Sequence, residues 1–137
     1  MQAGAPAVTI HSLDEGDRVL RCRRPVTILS APGAALYAGA GWWRAVVAEL
    51  TAGHPQAPFI EVLDCADAPG RAAEALRAGQ RRILFRPESA ALFASVSAMA
   101  EAYGAEIWTE RPPSLDMAMR GAERQLAAWL AGPRTSG

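Results

Sequence analysis

The chain of 137 residues contains no lysine and no asparagine, and its 14 basic residues are all arginine. Enzymes that hold a substrate or pyridoxal phosphate as a Schiff base need a lysine, so both classes are excluded. The P-loop of nucleotide hydrolases also needs a lysine and is excluded for the same reason. Any anion site in this protein must therefore use arginine side chains and the amide groups at helix N-termini.

Cysteine and histidine are scarce, with two residues of each. Cys22 and Cys65 do not make a disulfide framework, and we interpret both as reduced thiols of a cytoplasmic protein. Zinc has no cluster of cysteine and histidine to bind. Residues 1–18 lack the basic start and apolar run of a signal peptide. Because no stretch approaches about 20 consecutive apolar residues, we expect no contact with a membrane.

Charge and glycine spacing exclude further classes of partner. The formal net charge is zero, which argues against nucleic-acid binding through a general basic field and against docking on anionic lipid. The glycine-rich stretch 33–41 lacks the spacing of a dinucleotide-binding loop. We therefore expect no nucleic acid and no cofactor.

A chain of this length forms one domain, so we expect residues 1–137 to fold as a single unit with loose ends at 1–6 and 133–137. Continuous apolar runs, typical of buried parallel strands, alternate with helical stripes. The predicted strands are Val26–Ser30, residues 59–63, Arg82–Arg86 and Ala105–Thr109. The predicted helices are Leu36–Ala52, Gly70–Ala78, residues 87–103 and Leu115–Leu130, the last capped by Ser114.

The first 25 residues are harder to assign. Ala7–Leu13 and Arg18–Cys22 are short strand candidates, and the intervening Asp-Glu-Gly-Asp is a turn sequence. The simplest interpretation is an N-terminal hairpin at the sheet edge. Together these elements predict an α/β protein: a three-layer α/β/α fold with a mostly parallel sheet of four or more strands, Rossmann-like or flavodoxin-like.

Polar and ionisable side chains follow every predicted parallel strand. In open parallel sheets, ligands bind beyond the carboxyl ends of the strands, so we expect a site at that edge. The candidate ligand-binding residues are Ser30, Gly33, Arg86, Glu88, Glu110 and Arg111. Each residue alone has an ordinary structural explanation: Glu88 suits a helix start, and Arg86 suits a partner for Asp64.

The stretch 58–70 carries the densest group of reactive side chains, with Asp64, Cys65 and Asp67 after the central strand. Cys65 is a candidate nucleophile or sulfur carrier, with the two aspartates as acid and base. A helix N-terminus or an arginine would favour its thiolate, whereas the aspartates would raise its pKa. A buried cysteine is the alternative. Nearby arginines compete for the carboxylates, so we predict no metal site.

Two further residues call for a partner. Glu61, in the central strand, is either exposed at an edge, which we favour, or buried against an arginine. Trp42 adjoins Trp43 and cannot face the same way, so it lies at a subunit interface, in a pocket wall or against a loop. A homodimer is the commonest way to bury an exposed tryptophan, and we expect one.

Two functions remain open. The first is a non-catalytic accessory module that binds a small anionic molecule or a protein partner at the carboxyl edge, with Arg86 and Arg111 as forks. The second is a small enzyme built on Cys65. The pH dependence of Cys65 alkylation separates them.

Overall fold

The computed structural model describes residues 4–132, which form six strands and six helices. The strands are β1 (Ala7–Ile10), β2 (Val26–Ser30), β3 (Phe59–Asp64), β4 (Arg82–Leu84), β5 (Glu106–Trp108) and β6 (Ser114–Asp116). The helices are α1 (Leu13–Leu20), α2 (Ala34–Tyr37), α3 (Gly39–Gly53), α4 (Pro69–Arg77), α5 (Ala90–Tyr103) and α6 (Ala122–Leu130). Of the expected loose ends at 1–6 and 133–137, residues 1–3 and 133–137 lie outside the described residues.

All six strands belong to one parallel sheet in the order β5-β4-β3-β2-β1-β6. The predicted α/β class with a parallel sheet of at least four strands is confirmed. β3 is central, and residues 61–64 are buried on both faces, as its continuous apolar run indicated. The chain enters the sheet at β1, because Pro6 and Ala5 already accept hydrogen bonds from the Thr27 amide and hydroxyl.

The predicted N-terminal hairpin is wrong, because α1 occupies the place of the turn and β1 runs parallel to β2. The Ser12 hydroxyl accepts a hydrogen bond from the Glu15 amide at 3.2 Å, which caps the helix. Gly16 lies inside α1 and faces α3: a Cβ placed on it would lie 2.8 Å from Leu50 Cδ1. This glycine therefore serves close helix packing and not a turn.

The last helix begins later in the chain than the sequence predicted. Ser114 is the first residue of β6 and pairs with Ala7 of β1, so it does not cap a helix. Leu115 packs against the hydrophobic core, while the Ser114 hydroxyl lies 2.8 Å from the Thr9 hydroxyl. The helix α6 begins only after Gly121.

The expectation that Glu61 is exposed is also wrong. Its carboxylate is buried beneath α3 and accepts hydrogen bonds from Trp43 Nε1 at 2.6 Å, Gln80 Nε2 at 2.7 Å and Arg44 Nη1 at 2.9 Å. The alternative considered for this residue, burial against an arginine, is the one found. A fully bonded buried network of this kind ties α3 to the sheet.

The two faces of the sheet are covered differently. The core on one face combines strand residues with buried residues from every helix. The core on the other face consists of strand residues only: Ala7, Leu29, Val62, Leu84 and Trp108, with Ile60 against them. Strands β1 to β5 follow one another in one direction, so right-handed crossovers put α1 to α5 on the same side.

The short link between β5 and β6 shows that the sheet is curled. In a flat sheet β5 and β6 would be five strand spacings apart, about 24 Å. Trp108 and Ser114 are six residues apart in sequence, which an extended chain covers in at most about 22 Å. Residues 109–113 therefore cross the helix-free face, which is the concave inner face of a partly closed sheet; we call residues 109–113 the crossing segment.

Candidate functional site

The carboxyl edge of the sheet is organised around Arg111 of the crossing segment. Its guanidinium donates to Asp64 Oδ2 at 2.8 Å, to the Thr9 hydroxyl at 2.8 Å and to the Ser30 carbonyl at 2.7 Å. Both charged side chains are largely buried, at 19% and 11% exposure. One side chain thus joins the carboxyl ends of β1, β2 and β3. The suggested partner of Asp64, Arg86, is not the one found.

The loop after β3 is fixed by Asp64. Its backbone amide donates to the Ser30 hydroxyl at 2.9 Å, and its Oδ1 accepts from the Ala66 amide at 2.9 Å. Ala66 has a φ of 51°, in the left-handed region that a residue with a Cβ adopts only at a cost. Strained residues of this kind concentrate at functional sites. Ser30, Asp64 and Arg111 are therefore the predicted site residues that the fold brings together.

Cys65 is placed where a nucleophile would not work. Its side chain is fully buried, and its Sγ lies 3.9 Å from the Leu63 carbonyl oxygen. Burial, with a smaller contribution from the Asp64 charge, raises the pKa of the Cys65 thiol to about 12. The thiol is therefore protonated near neutral pH and shielded from solvent. The histidines His11 and His54 are bonded to Asp116 and Asp17, not to the thiol.

The remaining predicted residues lie in solvent around this cluster. Asp67, Arg86, Glu88 and Glu110 are exposed, and Gly33 is half-buried with a φ of 69°. Arg86 contributes its backbone, since its amide donates to the Ala66 carbonyl at 2.8 Å. The candidate set thus contributes three exposed carboxylates and one exposed guanidinium, and its second guanidinium, that of Arg111, is paired with Asp64.

Sequence reasoning missed the contribution of β1 and β6 to this edge. Thr9 and Ser114 join the Arg111 cluster, and His11 Nε2 lies 2.8 Å from Asp116 Oδ1. The misassigned hairpin and helix hid these residues, because neither β1 nor β6 was recognised as a parallel strand. The signal available was the Ser-x-x-Glu spacing of Ser12 and Glu15, a helix-capping pattern that would have placed Thr9 at the carboxyl end of β1.

Exposed apolar side chains concentrate at the same edge. Six large apolar residues of the described chain are exposed, and five of them follow the carboxyl end of a strand. These five, which we call the apolar rim, are Leu13 after β1, Leu36 and Tyr37 after β2, Leu92 after β4 and Met119 after β6. Tyr103, at the last residue of α5, is the sixth.

Other kinds of site receive no support between residues 4 and 132. That part of the chain holds no group of three or more histidine, cysteine or acidic residues placed to bind a metal ion. None of its helices combines the length and apolar character that crossing a membrane requires.

Comparison with known proteins identifies the fold and nothing finer. No protein-family model matches the chain, and no curated protein matches it either. Among solved structures, the chain is similar to a putative fructose-1,6-biphosphate aldolase from Coccidioides immitis, with a TM-score of 0.61 and 21% identity. The match covers 76% of this chain and 44% of that one, so this chain spans less than half of that protein. Likeness at this identity shows a shared α/β fold only.

Proposed function

We propose that this protein is a non-catalytic interaction module that docks a protein partner at the carboxyl edge of its sheet. The observation that carries the proposal is the apolar rim, which collects five of the six exposed large apolar side chains of the described residues at one edge. Exposed apolar side chains collected on one surface mark interaction sites. The rigid Arg111 cluster beneath the rim would hold it in a fixed shape.

The extent of the rim suits a protein and exceeds a small molecule. Its members follow β4, β2, β1 and β6, which span four strand spacings in the sheet. Four spacings correspond to about 20 Å measured along the curved sheet. A stable protein interface buries about 800 Å² on each partner, a patch roughly 30 Å across. The rim therefore covers most of the width of such a footprint.

Charge favours a partner with basic residues around an apolar centre. The exposed side chains of Asp67, Glu88 and Glu110 outnumber the exposed arginines Arg86 and Arg120 at this edge. Complementary charge at an interface rim speeds association and selects the partner. We place this partner in the cytoplasm, in keeping with two unpaired cysteines, Cys22 and Cys65.

Affinity capture tests the proposal with two matched tyrosines. Tyr37 belongs to the apolar rim and is 70% exposed. Tyr103, the last residue of α5, lies at the opposite edge of the sheet and is 49% exposed. Tyr37→Glu should reduce the recovery of the specific partner by about ten-fold, because a charge would be buried in the interface. Tyr103→Glu should leave recovery unchanged. Equal loss from both variants, or no specific partner for the native chain, would reject the proposal.

A small anionic ligand is the second candidate. It is favoured by the starts of α3 and α4, which have no side-chain cap and no acidic residue in the first turn. The exposed Arg86 adjoins the loop before α4, since its amide donates to the Ala66 carbonyl. Calorimetric titration with inorganic phosphate tests this candidate: binding that Arg86→Gln abolishes would favour it over the protein partner.

Homodimer formation rests on α5. The Trp42 ring is half-buried against the core and packs 5.8 Å from the Trp43 ring, so it offers little free surface. The segment Ala90–Ala100 carries no charge and lies beside the edge strand β5, and beyond the rim residue Leu92 it exposes Ala94 and Ala98. We propose that a second copy covers this part of the helix. Light scattering should then give twice the chain mass, and Ala98→Glu should return it to the monomer value.

A further inference from the structure

A cavity of about 730 Å³ lies on the concave inner face of the sheet, at the amino ends of β1, β2 and β6. This is the opposite edge from the Arg111 cluster. Its lining combines two tryptophans, two crossing-segment prolines and small residues: Gly4, Ala5, Pro6, Ala7, Thr27, Trp108, Pro112, Pro113, Ala128, Trp129 and Gly132. Among residues 4–132, no lining residue is charged. The volume falls within the range of small-molecule sites, about 300–1,000 Å³.

The aromatic walls are held in place by hydrogen bonds. Trp129 Nε1 donates to the Ala7 carbonyl at 2.7 Å, and Trp108 Nε1 donates to Glu106 Oε1 at 2.5 Å. The indole N–H groups are thereby satisfied within the protein. Trp108 is buried at 4% exposure, whereas Trp129 is only partly buried and leaves ring surface for a ligand. Aromatic rings fixed in this way bind a planar apolar group with little loss of side-chain freedom.

A third wall of the cavity is formed by prolines of the crossing segment, which Arg111 holds in place at the carboxyl edge of the sheet. Pro112 and Pro113 directly follow Arg111, whose bonds to Asp64, Thr9 and Ser30 hold the crossing segment. Proline has a restricted φ, so this wall has few alternative conformations once Arg111 is bound. The cavity is therefore built before a ligand arrives.

We infer that this cavity is a binding site for an uncharged, planar aromatic small molecule that stacks on the partly buried Trp129 indole. The uncharged lining that the described residues provide disfavours ions, because a desolvated charge would find no counter-charge among them. The Thr27 hydroxyl, which bonds Ala5 O at 3.2 Å, is the side-chain group able to orient a polar atom of the ligand.

The uncharged fluorophore N-phenyl-1-naphthylamine, added to the full chain, tests this assignment. Saturable binding at one molecule per chain, with a blue-shifted emission, is the expected result. Ala128→Phe should weaken the affinity by at least about ten-fold, because the new ring would occupy the cavity. Ala127→Phe is the matched control, since Ala127 is a neighbouring exposed residue of α6 that does not line the cavity.

Two outcomes would overturn the inference. The first is the absence of saturable binding by the native chain. The second is equal affinity for Ala128→Phe and Ala127→Phe, which would place the fluorophore elsewhere on the surface. Circular dichroism of both variants checks that they fold, and Thr27→Val is a further probe inside the cavity that adds no bulk.

Discussion

Removing the charge of Arg111 should destabilise the protein more than removing any surface arginine. Arg111→Met keeps the apolar stem but removes all three hydrogen bonds of the guanidinium. Asp64 would lose its ion-pair partner at 11% side-chain exposure, with the Ala66 amide as its remaining donor. Breaking a buried pair by removing one partner costs about 3–5 kcal/mol. Because Asp64 keeps one donor and some solvent contact, we expect about 3 kcal/mol.

Urea unfolding followed by tryptophan fluorescence measures this loss. Arg71→Met is the control, since Arg71 pairs with Glu74 on the surface at 46% and 53% exposure and should cost less than about 1 kcal/mol. The double variant Arg111→Met/Asp64→Asn should recover part of the loss, because no unpaired charge remains buried. A cost for Arg111→Met no larger than that for Arg71→Met would refute the reasoning.

Three further predictions follow from buried contacts. In a Cys22→Ser variant, Cys65 should resist alkylation by iodoacetamide at neutral pH until the chain unfolds. The free energy of unfolding should fall as the pH rises from about 9 toward the folded pKa of Cys65, about 12, because in that range only the unfolded chain loses the thiol proton. A fast alkylation would contradict this. Trp43→Phe should cost about 1–3 kcal/mol in urea unfolding, since Glu61 loses its indole donor. Gly16→Ala should lower the thermal midpoint because its Cβ would lie 2.8 Å from a leucine methyl, whereas Gly41→Ala, with open space around it, should not.

The parallel sheet could be predicted because its strands are buried on both faces and read as continuous apolar runs. β2 and β3 are of this kind, and the helices α3 to α5 follow them at ordinary loop lengths. β6 could not be found this way, since three residues are too few for any period and its place is set by pairing with β1. Pairing with β1, which is distant in sequence, therefore decides the structure of this segment.

The sequence predicted that several of the candidate residues lie at one edge, but it did not predict their hydrogen bonds. The rule for parallel sheets placed Ser30, Asp64 and Arg111 at one edge, and they lie there. Their partners could not be read from sequence, because Arg111 meets residues 47 and 102 positions away along the chain. That meeting depends on the curl of the sheet and on the path of the crossing segment, which no local pattern encodes.

Site-specific photo-crosslinking tests the central claim, that the carboxyl edge docks a protein partner, most directly. A photoreactive benzoylphenylalanine is placed at position 37 or, in a separate sample, at position 103, within cells that normally make the protein. Both positions are exposed tyrosines of the same chain, on opposite edges. The account predicts a discrete covalent adduct with another protein from position 37 and none from position 103. No adduct from position 37, or the same adduct from both positions, would contradict it.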